Sequence, residues 1–276
     1  MKKIILITGA TDGIGLETAK ALISQGHHVL LHGRNPTKLT KVKQQLTDQF
    51  ATTEIETYVA DLSRIADVYQ LIEEVTQRHD KLDVLINNAG VFNSSEPITP
   101  DGLDIRFVVN TLAPYLLTKE ILPLLGENGR VINLSSAAQA SVNLEALSGK
   151  VSLSDNEAYA QSKLAITMWT QALAHTFSDN SGNKEKPIIV AVNPASLLGS
   201  KMVKDAFGVV GGDLSIGSDI LCRAALSDEF SKASGLYFDN DIKRFSDPHS
   251  DALNNAKVQQ VMDVIEKTIA KLTVQK

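Results

Sequence analysis

The chain lacks most of the features that would send its interpretation elsewhere. A single cysteine, Cys222, stands among 276 residues, so no internal disulfide can form and no cysteine-based metal site has ligands. Cys222 reads as a small buried apolar residue, and such sparing cysteine use fits a reducing compartment; a cytoplasmic location is expected. Long apolar runs are also missing. None reaches the roughly twenty residues of a membrane span, and the run 4–7 after Lys2 and Lys3 is too short for the core of a signal peptide. Nor is there a block of like charge. The net charge is −5, with Lys and Arg scattered, which leaves no footprint for nucleic acid or an anionic membrane. The histidines at 27, 28, 32, 79, 175 and 249 sit at no metal-ligand spacing with an acid or cysteine. Each reads as a polar surface or core-edge residue, and no metal is expected. No linker, repeat or low-complexity stretch divides the chain.

What is present is ordinary in amount and ordered in pattern. Apolar residues make up 43% and charged residues 21%, enough for one sizeable core. Short runs rich in β-branched residues occur at 4–7, 29–32, 55–59, 84–86, 131–134 and 188–192. Several carry no polar alternation, as strands covered on both faces require. Between them lie amphipathic stretches at 15–25, 37–50, 65–79, 103–125 and 157–177. Strand–helix alternation with short connections predicts a parallel sheet wound by right-handed crossovers. The expected architecture is therefore α/β: a single doubly wound Rossmann-type domain over 1–276, with helices on both faces. Residues 1–200 would hold the cofactor-binding and catalytic core, and 201–276 the substrate-side part. In that second part 216–226 and 255–272 read as helices and 235–238 as a short strand, making about seven strands. The polar segment 178–186 reads as a surface loop.

Directly after the first run come Thr8, Gly9, Ala10, Thr11, Asp12, Gly13, Ile14 and Gly15. A glycine-rich turn that opens a helix lets backbone approach a pyrophosphate and aims helix N–H groups at it. Gly9 suits the tight turn, Gly13 the close approach, and Gly15 the packing of helix on strand. An ordinary strand-to-helix turn is the alternative; the position between first strand and first helix favours a dinucleotide. After the second run, Gly33-Arg34-Asn35 offers no acid to hold the ribose 2′-hydroxyl of NAD. Arg34 instead offers a guanidinium suited to a 2′-phosphate, against the plainer reading of a solvated arginine. Lys38, a turn further on, could add a weaker contact. NADP(H) is the preferred cofactor, with NAD(H) the second candidate.

Two Tyr-x-x-x-Lys pairs exist, Tyr115 with Lys119 and Tyr159 with Lys163. Four residues apart on a helix, each pair shares one face. A phenol ionises near pH 10, and an ammonium beside it lowers that value. Tyr115 precedes the fifth run inside an apolar helix, so packing explains it. Tyr159 follows Ser135 and Ser136 at the end of that run, and sites in open α/β sheets lie at the carboxyl ends of strands.

The ordered set of the turn at 8–15, Asp61-Leu62, Asn87-Asn88-Ala89-Gly90, Asn110, Ser135-Ser136, Tyr159 with Lys163, and Pro194 resembles the short-chain dehydrogenase/reductase family from about residue 3 to 202. The resemblance implies hydride transfer between nicotinamide and a carbonyl or alcohol substrate. Tyr159 would exchange the proton. Lys163 would lower its pKa and bind the nicotinamide ribose. Ser136 would hydrogen-bond the substrate oxygen, with Ser135 the alternative that spacing does not exclude. Asn110 would hold a water linking Lys163 to solvent. The cofactor would lie along Gly9, Thr11, Asp12, Gly13, Ile14, Gly15, Arg34, Asp61, Leu62, Asn88, Ala89, Gly90, Tyr159, Lys163 and Pro194.

Two departures stand out. Ser136 and Tyr159 are 23 positions apart, roughly twice the family's habit. The extra stretch 139–156 resembles the retinol-dehydrogenase-like and protochlorophyllide-reductase-like branches, and implies a loop and short helix near the substrate mouth. Second, Pro194 is followed by Ala195 where the family has glycine. Alanine resists positive φ, so that turn is expected to differ. Substrate walls are expected at 92–97, 139–156 and 197–212, with the glycine-rich 208–212 as a lid. The partner is a small molecule. Apolar positions on the helix 157–177 would serve a homodimer or core packing alike. The rival readings are a non-catalytic NADP(H)-sensing protein on the same fold and a sugar-nucleotide epimerase. Sensors commonly lose the tyrosine or lysine, and epimerases carry another glycine spacing.

Overall fold

Alternation along the first strand, β1 (Ile4–Ile7), divides its side chains between two cores. Ile5 and Ile7 enter one with Val29 and Leu31, while Leu6 enters the other with Leu30. The computed structural model of the chain describes residues 1–51, 54–179 and 187–274. Its strands β2 (His28–Gly33), β3 (Ile55–Val59), β4 (Val84–Asn87), β5 (Arg130–Leu134), β6 (Ile188–Asn193), β7 (Tyr237–Asp239) and β8 (Arg244–Ser246) join β1 in one sheet of order β3-β2-β1-β4-β5-β6-β7-β8. Every pairing is parallel except β7 with β8. Order reverses beside β1, and in open α/β sheets the carboxyl edge at such a reversal is where ligands bind.

Helices α1 (Gly13–Ser24), α2 (Pro36–Phe50) and α9 (Leu214–Leu226) cover the face holding Ile5 and Ile7. The other face carries α3 (Ile65–Arg78), α4 (Ile105–Phe107), α5 (Ala113–Leu125), α7 (Asp155–Asp179) and α10 (Asn255–Val274). Local chemistry sets several starts. Asn35 caps α2 by accepting from Lys38 N at 2.9 Å, with Pro36 in the first turn. Asp12 caps α1 by accepting from Gly13 N at 2.8 Å, so that helix begins two residues before the expected 15. Trp169 is fully buried and meets Tyr115 edge-on with centroids 5.6 Å apart. The pairing adds about 0.5–1.5 kcal/mol beyond burial of the rings.

Three elements differ from expectation. The stretch 103–125 is not one helix: a π-helical turn, Val108–Leu112, separates α4 from α5 and carries Asn110 at its centre. The sheet has an eighth strand, β8, which turns back antiparallel on β7 through Lys243 at φ 54. A short helix α8 (Lys201–Phe207) lies within what reads as loop, between α6 (Leu144–Leu147) and α7 on one side and α9 on the other in chain order. Of the expected loop 178–186, residues 178 and 179 extend α7 and the rest lies outside the described residues. Among the described residues no helix is long and apolar enough to cross a membrane.

Candidate active site

The turn between β1 and α1 is built by three glycines with three different duties. Gly9 has φ 66, and a Cβ there would fall 2.9 Å from Ala89 Cα. Gly13 has φ 54 with nothing nearer than Ser200 Cβ at 3.5 Å, so it needs glycine for conformation. A Cβ on Gly15 would fall 2.4 Å from both Gly9 O and Asn88 Nδ2. Gly15 therefore closes the helix start onto the turn and the β4 loop, where packing on a strand was expected. Thr11 packs its methyl over Gly33, and Ile14 turns its side chain under α9 at Gly217, leaving only its backbone toward the cleft.

Asp12 also pairs with Lys38 at 2.6 Å, and that hydrogen bond, first among the causes, holds its carboxyl below the ordinary range. Lys38 is thus drawn to Asp12. Arg34 is exposed and, among the described residues, makes no ion pair. At the far end, Asp61 accepts from Ser63 N at 3.0 Å and Ser63 Oγ at 2.8 Å, while the Leu62 side chain is buried in the core.

The β4 loop crosses the turn. Asn88 Nδ2 donates to Thr8 O at 2.8 Å and Gly9 O at 3.1 Å, and Ala89 N donates to Thr8 Oγ1 at 3.0 Å. Gly90 faces both Asn110 and Lys163: a Cβ there would lie 3.5 Å from Asn110 Oδ1 and 3.7 Å from Lys163 Nζ. The π turn aims Asn110 inward. It accepts from Val91 N at 2.8 Å and donates to Val91 O and Ser162 Oγ, both at 3.0 Å. Ser162 Oγ in turn donates to Tyr159 O at 2.7 Å.

Lys163 is 4% exposed and donates to Leu134 O at 2.7 Å. Burial lowers its pKa to about 8. Its Nζ sits 5.7 Å from the centre of the Tyr159 ring. Tyr159 is shifted upward: burial raises it, and a hydrogen bond with Ser136 opposes. The net direction is upward, opposite to the lowering expected of the Lys163 ammonium. Ser135 points elsewhere, bonding Thr167 Oγ1 at 2.7 Å and Lys163 O at 3.1 Å.

The walls expected at 92–97, 139–156 and 197–212 each send a residue here, whereas sequence reasoning missed Arg106 and Tyr237. Phe92 lies 4.6 Å from the Tyr159 ring, and Phe207 on α8 lies 5.3 Å from Phe92. Arg106, 1% exposed, binds Asp104 through two nitrogens at 2.8 and 2.6 Å and also reaches Asp155 and, at 3.4 Å, Phe92 O. It clasps the wall to the start of α7. Tyr237 donates to Ser136 O at 3.1 Å, as does Gln139 Nε2 at 2.9 Å. These contacts join positions far apart in sequence, and no local spacing announces them. The stretch 139–156 does contain a short helix, α6, and docks on α7 through Asn143 N to Gln161 Oε1 at 2.8 Å.

The turn after β6 corrects one expectation. Ala195 takes φ 118 and Leu197 φ 51 despite their side chains. Asp241 overrides the cost by accepting from Ser196 N at 2.8 Å and Ser196 Oγ at 2.6 Å, while Asn240 Nδ2 donates to Pro194 O at 3.0 Å. The expected lid is pinned at one end, with Gly199 N to Gly212 O at 2.7 Å and Gly212 N to Leu197 O at 2.8 Å. No group of three or more metal-ligating side chains exists among the described residues.

A doubly wound α/β domain that gathers a glycine turn and a Ser–Tyr–Lys group at one sheet edge defines a dinucleotide-fold protein. The chain belongs to the short-chain dehydrogenase/reductase family of oxidoreductases, whose profile, described as short chain dehydrogenase, matches residues 3–206. Polyprenol dehydrogenase of Homo sapiens is 35% identical over 179 residues, covering 62% of this chain and 54% of that protein, so the match spans about half of that relative. Retinol dehydrogenase 12 of Mus musculus is 30% identical over 255 residues, covering 88% and 78%. Short-chain dehydrogenase TIC 32 A, chloroplastic, of Brassica napus is 29% identical over 251 residues, covering 84% and 78%. Among solved structures, an uncharacterized protein from Mycobacterium paratuberculosis superposes with a TM-score of 0.79 at 23% identity, over 97% of this chain and 93% of its own, which shows the fold. A short chain dehydrogenase from Escherichia coli CFT073, complexed with NADPH, gives 0.68 at 26% identity over 86% and 96%.

Proposed function

We propose that the protein is an NADP(H)-dependent oxidoreductase that moves a hydride between nicotinamide and a carbonyl or alcohol substrate. The observation that carries this reading is Tyr159 beside Ser136, its ring centre 5.7 Å from the buried Lys163 ammonium, at the carboxyl edge of the sheet.

The residues present fit a dinucleotide. Gly9 and Gly15 keep clear a cradle that Cβ atoms would fill. Asp12 takes the Gly13 N–H, and helix geometry leaves those of Ile14 and Gly15 without an intrahelical acceptor. Gly9, Thr11, Asp12, Gly13, Ile14 and Gly15 would hold the pyrophosphate, Asp61 and Leu62 the adenine side, and Asn88, Ala89, Gly90, Lys163 and Pro194 the nicotinamide half. Arg34, exposed and without an ion partner among the described residues, is available to a 2′-phosphate. The E. coli relative bound to NADPH supports the same choice. When bound, the nicotinamide supplies or accepts the hydride.

The chain's own groups handle the proton. With its pKa raised, Tyr159 is a protonated donor at neutral pH, suited to a carbonyl oxygen that gains charge during reduction. Ser136, half-buried beside it, would hold that oxygen. Ser135 is proposed for no role, because α7 occupies its hydroxyl. Lys163, mostly ammonium below about pH 8, would bind the ribose, and Asn110 across Gly90 would continue the proton path. Phe92 beside Tyr159 and Phe207 beside Phe92, with Leu197, Val209 and Val210 exposed near Phe207 in sequence, support an apolar substrate. Relatives named for retinol and polyprenol agree with that chemistry.

NADPH oxidation against a panel of short, aromatic and long-chain aldehydes and ketones tests the proposal. Turnover favouring apolar carbonyls is the expected result. A protein that binds NADPH tightly yet turns over nothing in the panel would be a sensor on this fold.

A further inference from the structure

His32 is the residue of this cleft that no motif selects. It stands one position before the end of β2 and is 2% exposed. Its ring joins two segments that approach the cleft from different strands. Gly9 N, in the glycine turn, lies 3.2 Å from Nδ1, and Ala60 O, immediately before Asp61, lies 3.0 Å from Nε2. An amide N–H can only donate and a carbonyl can only accept. The two partners therefore dictate one neutral tautomer, with the proton on Nε2. Burial keeps the ring in that form by lowering its pKa to about 4, opposed by the Ala60 hydrogen bond and by Asp61, the charged group that faces it. The other charged groups of these segments are engaged: Asp12 with Lys38, and Asp67 with Asp61 N at 3.2 Å. The main chain runs alongside this link, through Ala10 N to His32 O at 2.9 Å and through the β2–β3 ladder, which pairs His32 with Tyr58 and Gly33 with Val59.

We propose that His32 is a positioning residue that sets the phosphate turn against the adenine-side segment, and so tunes dinucleotide affinity without touching the dinucleotide. The inference rests on the cofactor reading above. Gly9 supplies the turn under the pyrophosphate, and Ala60 leads into Asp61 and Leu62. One rigid ring with an acceptor on one edge and a donor on the other fixes the distance between those two halves. A site whose halves are held at a set spacing loses less freedom when an extended ligand bridges them. The nicotinamide end lies on other loops and Tyr159 on α7, so the effect belongs to binding and not to the chemical step.

Glutamine retains one acceptor and one donor on an amide of similar span, whereas leucine retains neither. His32→Gln should keep the Kd for NADP+ within about threefold of the parent, and His32→Leu should raise it at least tenfold. In both, kcat at saturating NADPH should stay within about twofold. A second readout needs no cofactor. Amide hydrogen exchange in the free protein should quicken in His32→Leu at residues 8–13 and 60–64 together, and return toward the parent rate in His32→Gln. If the leucine variant does not fold, His32→Asn replaces it; its side chain is too short to hold both partners, and at least a threefold rise in Kd is expected. A leucine or asparagine variant that binds NADP+ like the parent overturns the proposal, as does a glutamine variant that loses tenfold. A parent protein that binds neither NADP+ nor NAD+ sinks the cofactor reading itself, which is a separate outcome.

Discussion

At the scale of single residues, the two Tyr-x-x-x-Lys pairs show how identical spacing acquires opposite meanings. Tyr115 is 2% exposed, its hydroxyl donates to Glu266 on α10, and Lys119 reaches the same carboxylate at 2.9 Å. That pair fastens a helix. Tyr159 has Ser136 as its partner and opens on the cleft. Tyr159→Phe removes one oxygen and leaves the ring packed on Phe92. Turnover should fall by roughly 10²–10⁴-fold, with folding and NADPH binding retained. Tyr115→Phe should leave turnover within about threefold and cost about 1 kcal/mol of stability. Steady-state rates beside urea unfolding of each variant distinguish the two roles. Reversed effects would mean that the wrong tyrosine has been assigned to the proton.

Arg34 is the residue on which the proposed preference for NADP(H) rests. Without an ion partner among the described residues, its guanidinium is not already committed, whereas Lys38 is held by Asp12. NADPH should bind at least tenfold tighter than NADH, about 1.4 kcal/mol. Arg34→Ala should erase most of that margin while leaving NADH affinity near normal. Equal affinities in the unmodified protein would remove Arg34 from the cofactor site.

At the scale of elements, the parallel strands were legible because burial on both faces leaves uninterrupted apolar runs, as in Val84–Asn87. The glycines at 9, 13 and 15 were legible because each has a steric duty that sequence order exposes. The π turn was not, since an extra residue in a helix leaves no mark on an apolar stretch. Strand β8 is three residues long and exists through its hairpin with β7. Ala195 read as an obstacle to positive φ, yet Asp241, some forty-five residues away, holds that turn in place. Misses of that last kind share one cause: the deciding partner is distant in sequence. Arg106 is the clearest instance. It joins α4 to the start of α7 and to the Phe92 backbone. Arg106→Leu would leave Asp104, itself 6% exposed, as a buried carboxylate without its partner. A loss of about 3–5 kcal/mol in denaturant unfolding is expected. KM for an apolar carbonyl should rise as Phe92 loses its anchor. Unchanged stability would show that Asp104 finds water instead.

At the scale of the whole molecule, stability above neutral pH reports on how the site was folded into the sheet. Burying Lys163 lowers its pKa from 10.5 to about 8. Between those values the unfolded chain binds the proton that the folded protein has released. Stability therefore rises with pH across that window, as the linkage relation requires, by about 3 kcal/mol if the whole window were traversed. Other buried groups oppose it. Cys222, raised by burial from 9.0 to about 11, stays protonated in the fold while the unfolded thiol ionises, so its contribution falls over that range. Tyr58, Tyr115, Tyr159 and Tyr237 are all raised and act in the same sense at higher pH. The raw profile is thus a balance, and the difference between parent and Lys163→Met isolates the lysine. Urea unfolding from pH 7 to 10 should show the parent gaining on the variant as pH passes 8, with the variant the more stable at pH 7 because no buried ammonium remains. A constant difference across that range would mean that Lys163 is not held in a low-dielectric setting. The ammonium would then be solvated in the fold, and the strain that the active site imposes on the molecule would lie elsewhere.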